Sequence, residues 1–308
     1  MRILIELPTW LGDTVMATPA IEYLANYFNH HEIILIGSNT AIAVLKEHPK
    51  ISKTYVLDKN YIKLYKLIKT FGEFEAFFSF RGSFRSKLMK FFIHAKKKHQ
   101  FDKNFFVNCH QVQKYNKFIE VSINTSSIPS ELKLPPQKKF KVSKKKLLGI
   151  NPGASYGSSK RWYPIEFANV AAALSVHYDI IIFGGNDEKN IANDIENYLI
   201  KKGIKNYNNL SAQTSISELL GQIANLDLFI TGDSGPMHIA AAYKIPTVTI
   251  FGPTNDIETS QWMNKNGVIL KSNLECQPCM KRECPLGHHN CMKSIKSDEV
   301  LEAINTIT

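Results

Sequence analysis

The chain has 308 residues, 44% hydrophobic and 21% charged, enough for two globular domains each with its own core. Lys and Arg outnumber Asp and Glu by 38 to 27, a formal charge of +11 that points to an anionic partner: a phosphorylated substrate, an anionic lipid surface or nucleic acid. The opening MRILIELPTWLGD is too short and too polar for a signal peptide or a membrane span, so the expected compartment is the cytoplasm, with the five cysteines reduced unless they hold a metal.

In the first half, short apolar runs alternate with amphipathic segments: RILIEL, a helix over 13–28, EIILIG, a helix over 40–47, KTYVLD, a helix over 61–71, EAFFSF and a helix over 83–93. This is the rhythm of a parallel sheet covered by helices. The first strand ends in Pro8-Thr9-Trp10-Leu11-Gly12-Asp13. With a helix from about Thr14, Asp13 falls at the carboxyl edge of the sheet, where it reads either as a cap for first-turn amides or as a carboxylate facing a ligand. Gly12 allows close approach of a substrate or serves the turn. After the fourth strand come Arg81, Ser83, Arg85, Ser86 and Lys87, part of a basic stretch to Lys103 interleaved with aromatics.

The rhythm fails after Ile128, and PSELKLPPQKKFKVSKKK reads as a connection. The expected divisions are a domain over 1–134, a basic linker over 135–146 and a second domain over 147–308. The pattern restarts with LLGI and the small-residue loop Asn151 to Pro164, whose amides, hydroxyls, Lys160 and Arg161 suit a diphosphate or simply connect. A helix over PIEFANVAAALS, the strand YDIIIFGG and a helix over 187–200 follow. LDLFITG then runs into Asp233-Ser234-Gly235-Pro236 and a small-residue helix carrying His238; amides at that helix start suit phosphate oxygens, while an ordinary turn is the plainer account. PTVTIFG is a further strand and SDEVLEAINTIT a last helix. Two doubly wound α/β domains place ligands beyond the carboxyl ends of their strands, so the cleft between the domains is the expected site. Neither a G-x-G-x-x-G nor a Walker sequence occurs, which argues against a nicotinamide enzyme and a P-loop nucleotidase. Cys276, Cys279, Cys284 and Cys291, with His288 and His289 among them, form a zinc candidate whose spacing matches no common zinc signature; a disulfide or a compact loop of reduced thiols are the alternatives.

Taken together, Trp10-Leu11-Gly12-Asp13, Asn151-Pro152-Gly153-Ala154 leading to Lys160-Arg161-Trp162, Phe183-Gly184-Gly185 and Asp233-Ser234-Gly235-Pro236-Met237-His238 resemble the ADP-heptose:lipopolysaccharide heptosyltransferases over the whole chain. The cysteine-rich tail and the Lys-Arg-Trp form are similar to the heptosyltransferase II branch. The resemblance implies an α/β protein of the GT-B arrangement, two Rossmann-like domains with an acceptor-binding N-terminal half and a nucleotide-sugar-binding C-terminal half carrying the Cys-rich segment 276–291. It implies an inverting transfer of heptose from ADP-L-glycero-D-manno-heptose to the first heptose of the lipopolysaccharide inner core, with Asp13 as general base. Ser155, Lys160, Asp187 at the ribose, Asp233, Ser234, Gly235 and His238 match donor positions. Thr9, Trp10, Gly12, Arg81, Ser83, Arg85 and Lys87 are acceptor-side candidates from charge and position. No cofactor is required beyond ADP-heptose as co-substrate, and no Asp-x-Asp metal motif is present. The implied partners are the ADP-sugar, an anionic lipopolysaccharide inner-core acceptor and, peripherally, the inner leaflet of the cytoplasmic membrane, with no nucleic acid. Two alternatives stand: a related transferase using another core position or sugar, and a non-catalytic nucleotide- or nucleic-acid-binding protein. Against the second, the aromatics sit in apolar patterns such as EAFFSF, where core burial is the simpler role.

Overall fold

The computed structural model describes residues 1–138 and 144–307, and the chain divides into two compact units, Met1–Pro136 and Gln137–Thr308. Residues 139–143, inside the expected linker, lie outside the described residues.

The first unit runs β1 (Arg2–Glu6), α1 (Leu11–Met16), α2 (Thr18–Tyr27), β2 (Glu32–Gly37), α3 (Asn39–Leu45), β3 (Lys53–Val56), α4 (Tyr61–Lys69), β4 (Glu73–Ser79), α5 (Phe84–Phe92), β5 (His94–Gln100) and α6 (Gln111–Ile123). Its sheet has the order β3-β2-β1-β4-β5, every pair parallel. Strands covered by helices on both faces need near-continuous apolar runs, and Ile3, Leu4 and Ile5 are fully buried. The helices start where short polar side chains can take their free amides: Ser38 Oγ accepts from Ala41 N (3.2 Å), Asn60 Oδ1 from Ile62 N (2.8 Å) and Ser83 Oγ from Ser86 N (3.2 Å).

In this unit two elements go beyond the sequence rhythm. β5, HAKKKHQ, has no apolar run, yet it pairs with β4 from Glu73↔His94 to Ser79↔Gln100. It is an edge strand, and lysines on an edge discourage pairing with another chain. α6 is held by a capping box in which His110 accepts from Val112 N and Gln113 accepts from His110 N (3.0 Å).

The second unit runs β6 (Lys146–Asn151), α7 (Pro164–Leu174), β7 (Tyr178–Ile182), α8 (Lys189–Lys201), β8 (Tyr207–Asn209), α9 (Ile216–Ala224), β9 (Leu228–Gly232), α10 (Gly235–Ala242), β10 (Thr247–Phe251), α11 (Asp256–Thr259), β11 (Gly267–Lys271), α12 (Asn290–Lys293) and α13 (Ser297–Asn305). The sheet order is β11-β10-β9-β6-β7-β8, again parallel. Trp162 is the largest side chain in its core, meeting Phe167 edge-on at 4.8 Å and donating its indole N–H to the Ile295 carbonyl at 3.0 Å. It therefore fastens the loop after β6 to the segment leading into α13. Among the described residues no helix is long and apolar enough to cross a membrane.

In each sheet the first strand lies between strands wound to opposite sides: β1 between β2 and β4, β6 between β7 and β9. The connections leave in opposite directions at these switch points, which opens a crevice beyond the carboxyl ends. The segments following β1 and β4 meet at one, and those following β6 and β9 at the other.

Replacing Trp162 with Ala should destabilise the protein by about 3–5 kcal/mol through the cavity it leaves. Trp162→Phe, which keeps most of the bulk and loses only the indole bond, should cost clearly less. Urea unfolding of the two variants measures the difference.

Candidate functional site

At the switch point of the first unit the strand ends are tied by a buried carboxylate. Glu6 is 1% exposed; its Oε2 accepts from Ser79 Oγ (2.5 Å), its Oε1 from Ser86 Oγ (2.8 Å), and Arg81 Nη1 lies 3.3 Å away. Burial is the largest influence on this carboxyl and lifts it above its ordinary value of 4.5, against the pull of Ser79, Arg81 and Ser86. Arg81 is thereby fixed at the carboxyl edge of β4, and Ser86 holds the first turn of α5 to β1.

Asp13 lies half-buried in the first turn of α1; the capping position belongs to Trp10, whose carbonyl accepts from Thr14 N at 2.9 Å. The charge of Asp13 reaches Tyr115 on α6, a fully buried phenol held well above its ordinary value of 10.0 first by burial and then by Asp13. Tyr115 in turn packs on Phe80 (5.4 Å) and Phe101 (5.0 Å), so the floor beside Asp13 comes from α6 and from residues just after β4 and β5. Thr9 is exposed and lends its carbonyl to Ser38 Oγ (3.1 Å), Gly12 is half-buried, and the Trp10 ring is 59% exposed. Ser83 caps α5. Arg85 turns away from Glu6, donating to the Asp58 carbonyl and lying 5.7 Å over the Tyr61 ring, while Lys87 is exposed.

At the second switch point the structure brings Lys160, Asp233 and Ser234 together. Asp233 is buried, and its Oδ2 meets Lys160 Nζ at 2.5 Å and Thr254 Oγ1 at 2.6 Å. Ser234 Oγ lies 3.1 Å from Thr231 Oγ1 and accepts from Asn151 Nδ2 at 3.3 Å, which also donates to the Gly153 carbonyl at 3.2 Å. α10 begins at Gly235 with Pro236 in its first turn, and among the described residues no side chain caps it. The positive end of the helix dipole is therefore open toward any ligand over Ser234 and Gly235. His238 is buried further along the same helix. Ser155 is exposed at the crest of the loop after β6.

Of the adjacent pair Asp187 and Glu188, the sequence points to the first, and the structure leaves it exposed. Glu188 is the carboxylate turned inward: it accepts from Gly185 N at 2.8 Å and lies so close to Gly153 that an added Cβ would stand 2.0 Å from its Cδ. A glycine two residues after β6 is the signal that could have marked this contact. Beyond Thr254, at the ends of β10 and β11, lies a cavity of about 380 Å³ lined in part by Gly252, Thr254, Asp256, Lys271 and Gln277.

The cysteine-rich segment braces the loop after β6. Ser159 N and Oγ donate to the carbonyls of Arg282 (3.1 Å) and Lys281 (2.6 Å), Tyr156 Oη donates to the Met280 carbonyl (2.7 Å), and His289 Nε2 lies 2.9 Å from the Ser159 carbonyl. A Cβ on Gly157 would come within 2.2 Å of the Arg282 carbonyl oxygen, so only glycine permits this approach. Burial and the nearby Cys279, Cys284 and Cys276 push the Cys291 thiol up to about 11, whereas backbone amides, led by that of His289, hold Cys284 below its ordinary value. The cysteines are unbridged, and among the described residues no three His, Cys, Asp or Glu side chains are grouped to hold a metal ion.

Residues 78–290 match the model of glycosyltransferase family 9 (heptosyltransferase). Over 98% of its length the chain is 44% identical to the lipooligosaccharide heptosyltransferase 2 of Campylobacter jejuni, covering 97% of that protein. The solved structure of Escherichia coli ADP-heptose lipopolysaccharide heptosyltransferase II is similar with a TM-score of 0.80 and 21% identity over 100% of this chain and 98% of that one. E. coli heptosyltransferase WaaC with ADP is similar with a TM-score of 0.77 and 14% identity over 100% of both chains. The fold is that of the GT-B heptosyltransferases, as the sequence motifs imply.

Two outcomes test this geometry. A carboxyl raised by burial gives stability that is full below the unfolded value and is lost as pH rises through the folded one. The stability of Glu6→Gln relative to the parent protein should therefore improve as pH rises from 4.5 toward neutrality, read by urea unfolding across that range. A pH-independent difference would show that Glu6 carries no such penalty. Gly157→Ala must push the loop off Arg282, a strain of about 1–3 kcal/mol, and should lower stability by that amount in urea unfolding.

Proposed function

The chain belongs to glycosyltransferase family 9, the heptosyltransferases, and from that premise we propose that it transfers heptose from ADP-L-glycero-D-manno-heptose, with inversion, to the first heptose of a lipopolysaccharide or lipooligosaccharide inner core. The observation that carries this reading is the uncapped start of α10 beside the Lys160–Asp233 pair, which brings helix amides, hydroxyls and a paired cation to one strand edge. A structural neighbour binds ADP, by its description.

In the proposed reaction Asp13 takes the proton of an acceptor hydroxyl as that oxygen attacks the anomeric carbon from the face opposite ADP. The new C–O bond forms as the bond to the β-phosphate oxygen breaks, and the electron pair leaves with ADP. Lys160, the amides of Ser234 and Gly235 and the Ser155 hydroxyl meet the charge that builds there, the task a divalent ion performs in other transferases. Asp187 and Glu188 are the two carboxylates at hand for the ribose. The buried Tyr115 keeps its proton and lines the base's surroundings with a neutral group. Arg81, set by Glu6, together with Arg85 and Lys87 gives the first unit cations for a phosphorylated acceptor, and Thr9, Trp10 and Gly12 border it. Such an acceptor is lipid-anchored, which implies peripheral contact with an anionic membrane leaflet.

Asp13→Asn keeps the shape and removes the base. With ADP-heptose and a truncated core acceptor, in buffer containing a chelator, its turnover should fall by about 10²–10⁴-fold while ADP affinity stays at the parent value. Equal losses in turnover and ADP affinity would assign Asp13 to binding rather than to proton transfer, and loss of the parent activity in chelator would show that a metal ion is needed.

A further inference from the structure

α4 and α5 lie side by side and share a face that folding leaves unused. On α4, YIKLYKLIK, the spacing of Leu64 and Ile68 puts one stripe into the core; Tyr61, Ile62, Tyr65, Lys66 and Lys69 fall on the opposite side. On α5, FRSKLMKFF, Ser86 and Met89 go inward, while Phe84, Lys87 and Phe91 recur at one and two turns along the outer surface. Phe84 and Phe91 are each 77% exposed, Ile62 66% and Tyr61 53%. Tyr65 meets Phe92 edge-on at 5.2 Å and Phe92 meets Phe91 at 5.3 Å, so aromatic rings join the outer sides of the two helices. Single exposed apolar residues need no explanation, but a contiguous group of this kind marks a contact surface.

The charges around it are predominantly positive, with Asp58 paired to Lys63 at 3.2 Å. α4 and α5 carry Lys63, Lys66, Lys69, Arg85, Lys87 and Lys90 and no carboxylate, and residues 51–100 hold 12 Lys and Arg against 3 Asp and Glu. Where α4 ends and β5 begins lies an open groove of about 500 Å³ lined in part by Lys69, Glu73, His94, Lys96 and Lys98, with Lys96 paired to Glu75 at 2.8 Å.

We infer that the α4–α5 face docks on an anionic lipid bilayer, with Phe84, Phe91, Ile62 and Tyr61 entering the interface and the flanking lysines meeting lipid phosphates. This assigns a surface to the peripheral membrane contact of the proposed function and rests on that reading. Long lysine side chains lie along an apolar surface with their ammonium groups at headgroup level, and rings with a polar tip, as in tyrosine, suit the same depth. Anionic lipid attracts each such lysine within a Debye length of the surface. A second copy of the chain on this face would bring like charges together. A nucleic acid would take the lysines but give Phe84 and Phe91 no hydrocarbon to enter. Phe84 directly follows Ser83, the cap of α5, and stands three residues from Arg81, so docking here sets the bilayer beside the acceptor-side cations.

The test is co-sedimentation of the purified full chain with vesicles containing phosphatidylglycerol and with vesicles of phosphatidylcholine alone. The parent protein should bind the former, less so in high salt, and the latter weakly. Phe84→Ser combined with Phe91→Ser should lower binding by at least about tenfold, and Phe84→Leu with Phe91→Leu should restore most of it. Heptose transfer to a water-soluble truncated acceptor should stay at the parent rate in both double variants, which separates docking from chemistry. If transfer proceeds but the serine variant still binds vesicles as tightly as the parent, the docking surface is wrong and the proposed function stands. If the parent docks through this face but transfers no heptose, the proposed function fails alone. Absence of vesicle binding by the parent, or a serine variant altered in oligomeric state or nucleic-acid binding instead, overturns the inference.

Discussion

The second unit is organised around the charge of Asp233. A carboxylate 5% exposed at the end of β9 is tolerable only if cations and donors meet it there, and Lys160 and Thr254 do so. Lys160 reaches Asp233 from the loop after β6, and Thr254 from the turn after β10. One buried charge thus fixes three strand ends relative to one another and sets the approach to α10. Taking away either partner leaves the other uncompensated, a loss of about 3–5 kcal/mol for a buried pair. The first unit repeats the arrangement with Glu6, which gathers Ser79, Ser86 and Arg81 from the end of β4 and the start of α5. In both units a carboxylate at the switch point does the positioning, and the residues it positions are among those proposed to take part in the chemistry.

This constraint explains why the cysteine-rich segment belongs to the site although it supplies no established ligand. The loop from Gly153 to Trp162 has little regular structure of its own, yet it must hold Lys160 against Asp233. It is held from three directions: Trp162 is buried against Phe167 and Ile295, Glu188 fills the space under Gly153, and the backbone of Lys281 and Arg282 receives Ser159. His289, bonded to the Ser159 carbonyl and within 3.2 Å of the Tyr163 hydroxyl, closes the brace. The glycines at 153 and 157 are therefore contact positions, each facing an atom that a side chain would displace.

The parallel strands and their helices were legible because burial on both faces demands the long apolar runs that RILIEL, EIILIG and TVTIF display. The turn residues after β1, β6 and β9 were legible for a related reason, since helix starts beside strand ends require small and polar residues. β5 was not, because its hydrogen bonds are made by backbone alone and its side chains answer to the needs of an edge, and β8, α9 and β11 of the second unit were not read either. α6 was missed with it, and so was Tyr115, whose place beside Asp13 depends on a packing contact about a hundred residues away in sequence. The choice between Asp187 and Glu188 was equally hidden: adjacent acids look alike in a sequence, and only the backbone around Gly185 decides which turns inward.

The net charge also resolves into two different uses. The first unit holds 19 Lys and Arg against 11 Asp and Glu, the second 19 against 16, so most of the excess positive charge lies in the unit proposed to bind a phosphorylated, lipid-anchored acceptor. Exposed lysines such as Lys66, Lys69 and Lys87 attract an anionic surface over a distance set by salt, and they need no fixed geometry to do it. Lys160 is the opposite case. Its side chain is 12% exposed and already paired, so it adds little long-range attraction for a donor. In the proposed reaction, what a cation held in this way supplies is a fixed position, with no reorganisation required as charge grows on a departing diphosphate. A uniformly basic surface would bind donor and product alike, whereas a neutralised pair beside an open helix start responds most to the charge that appears only as the bond breaks.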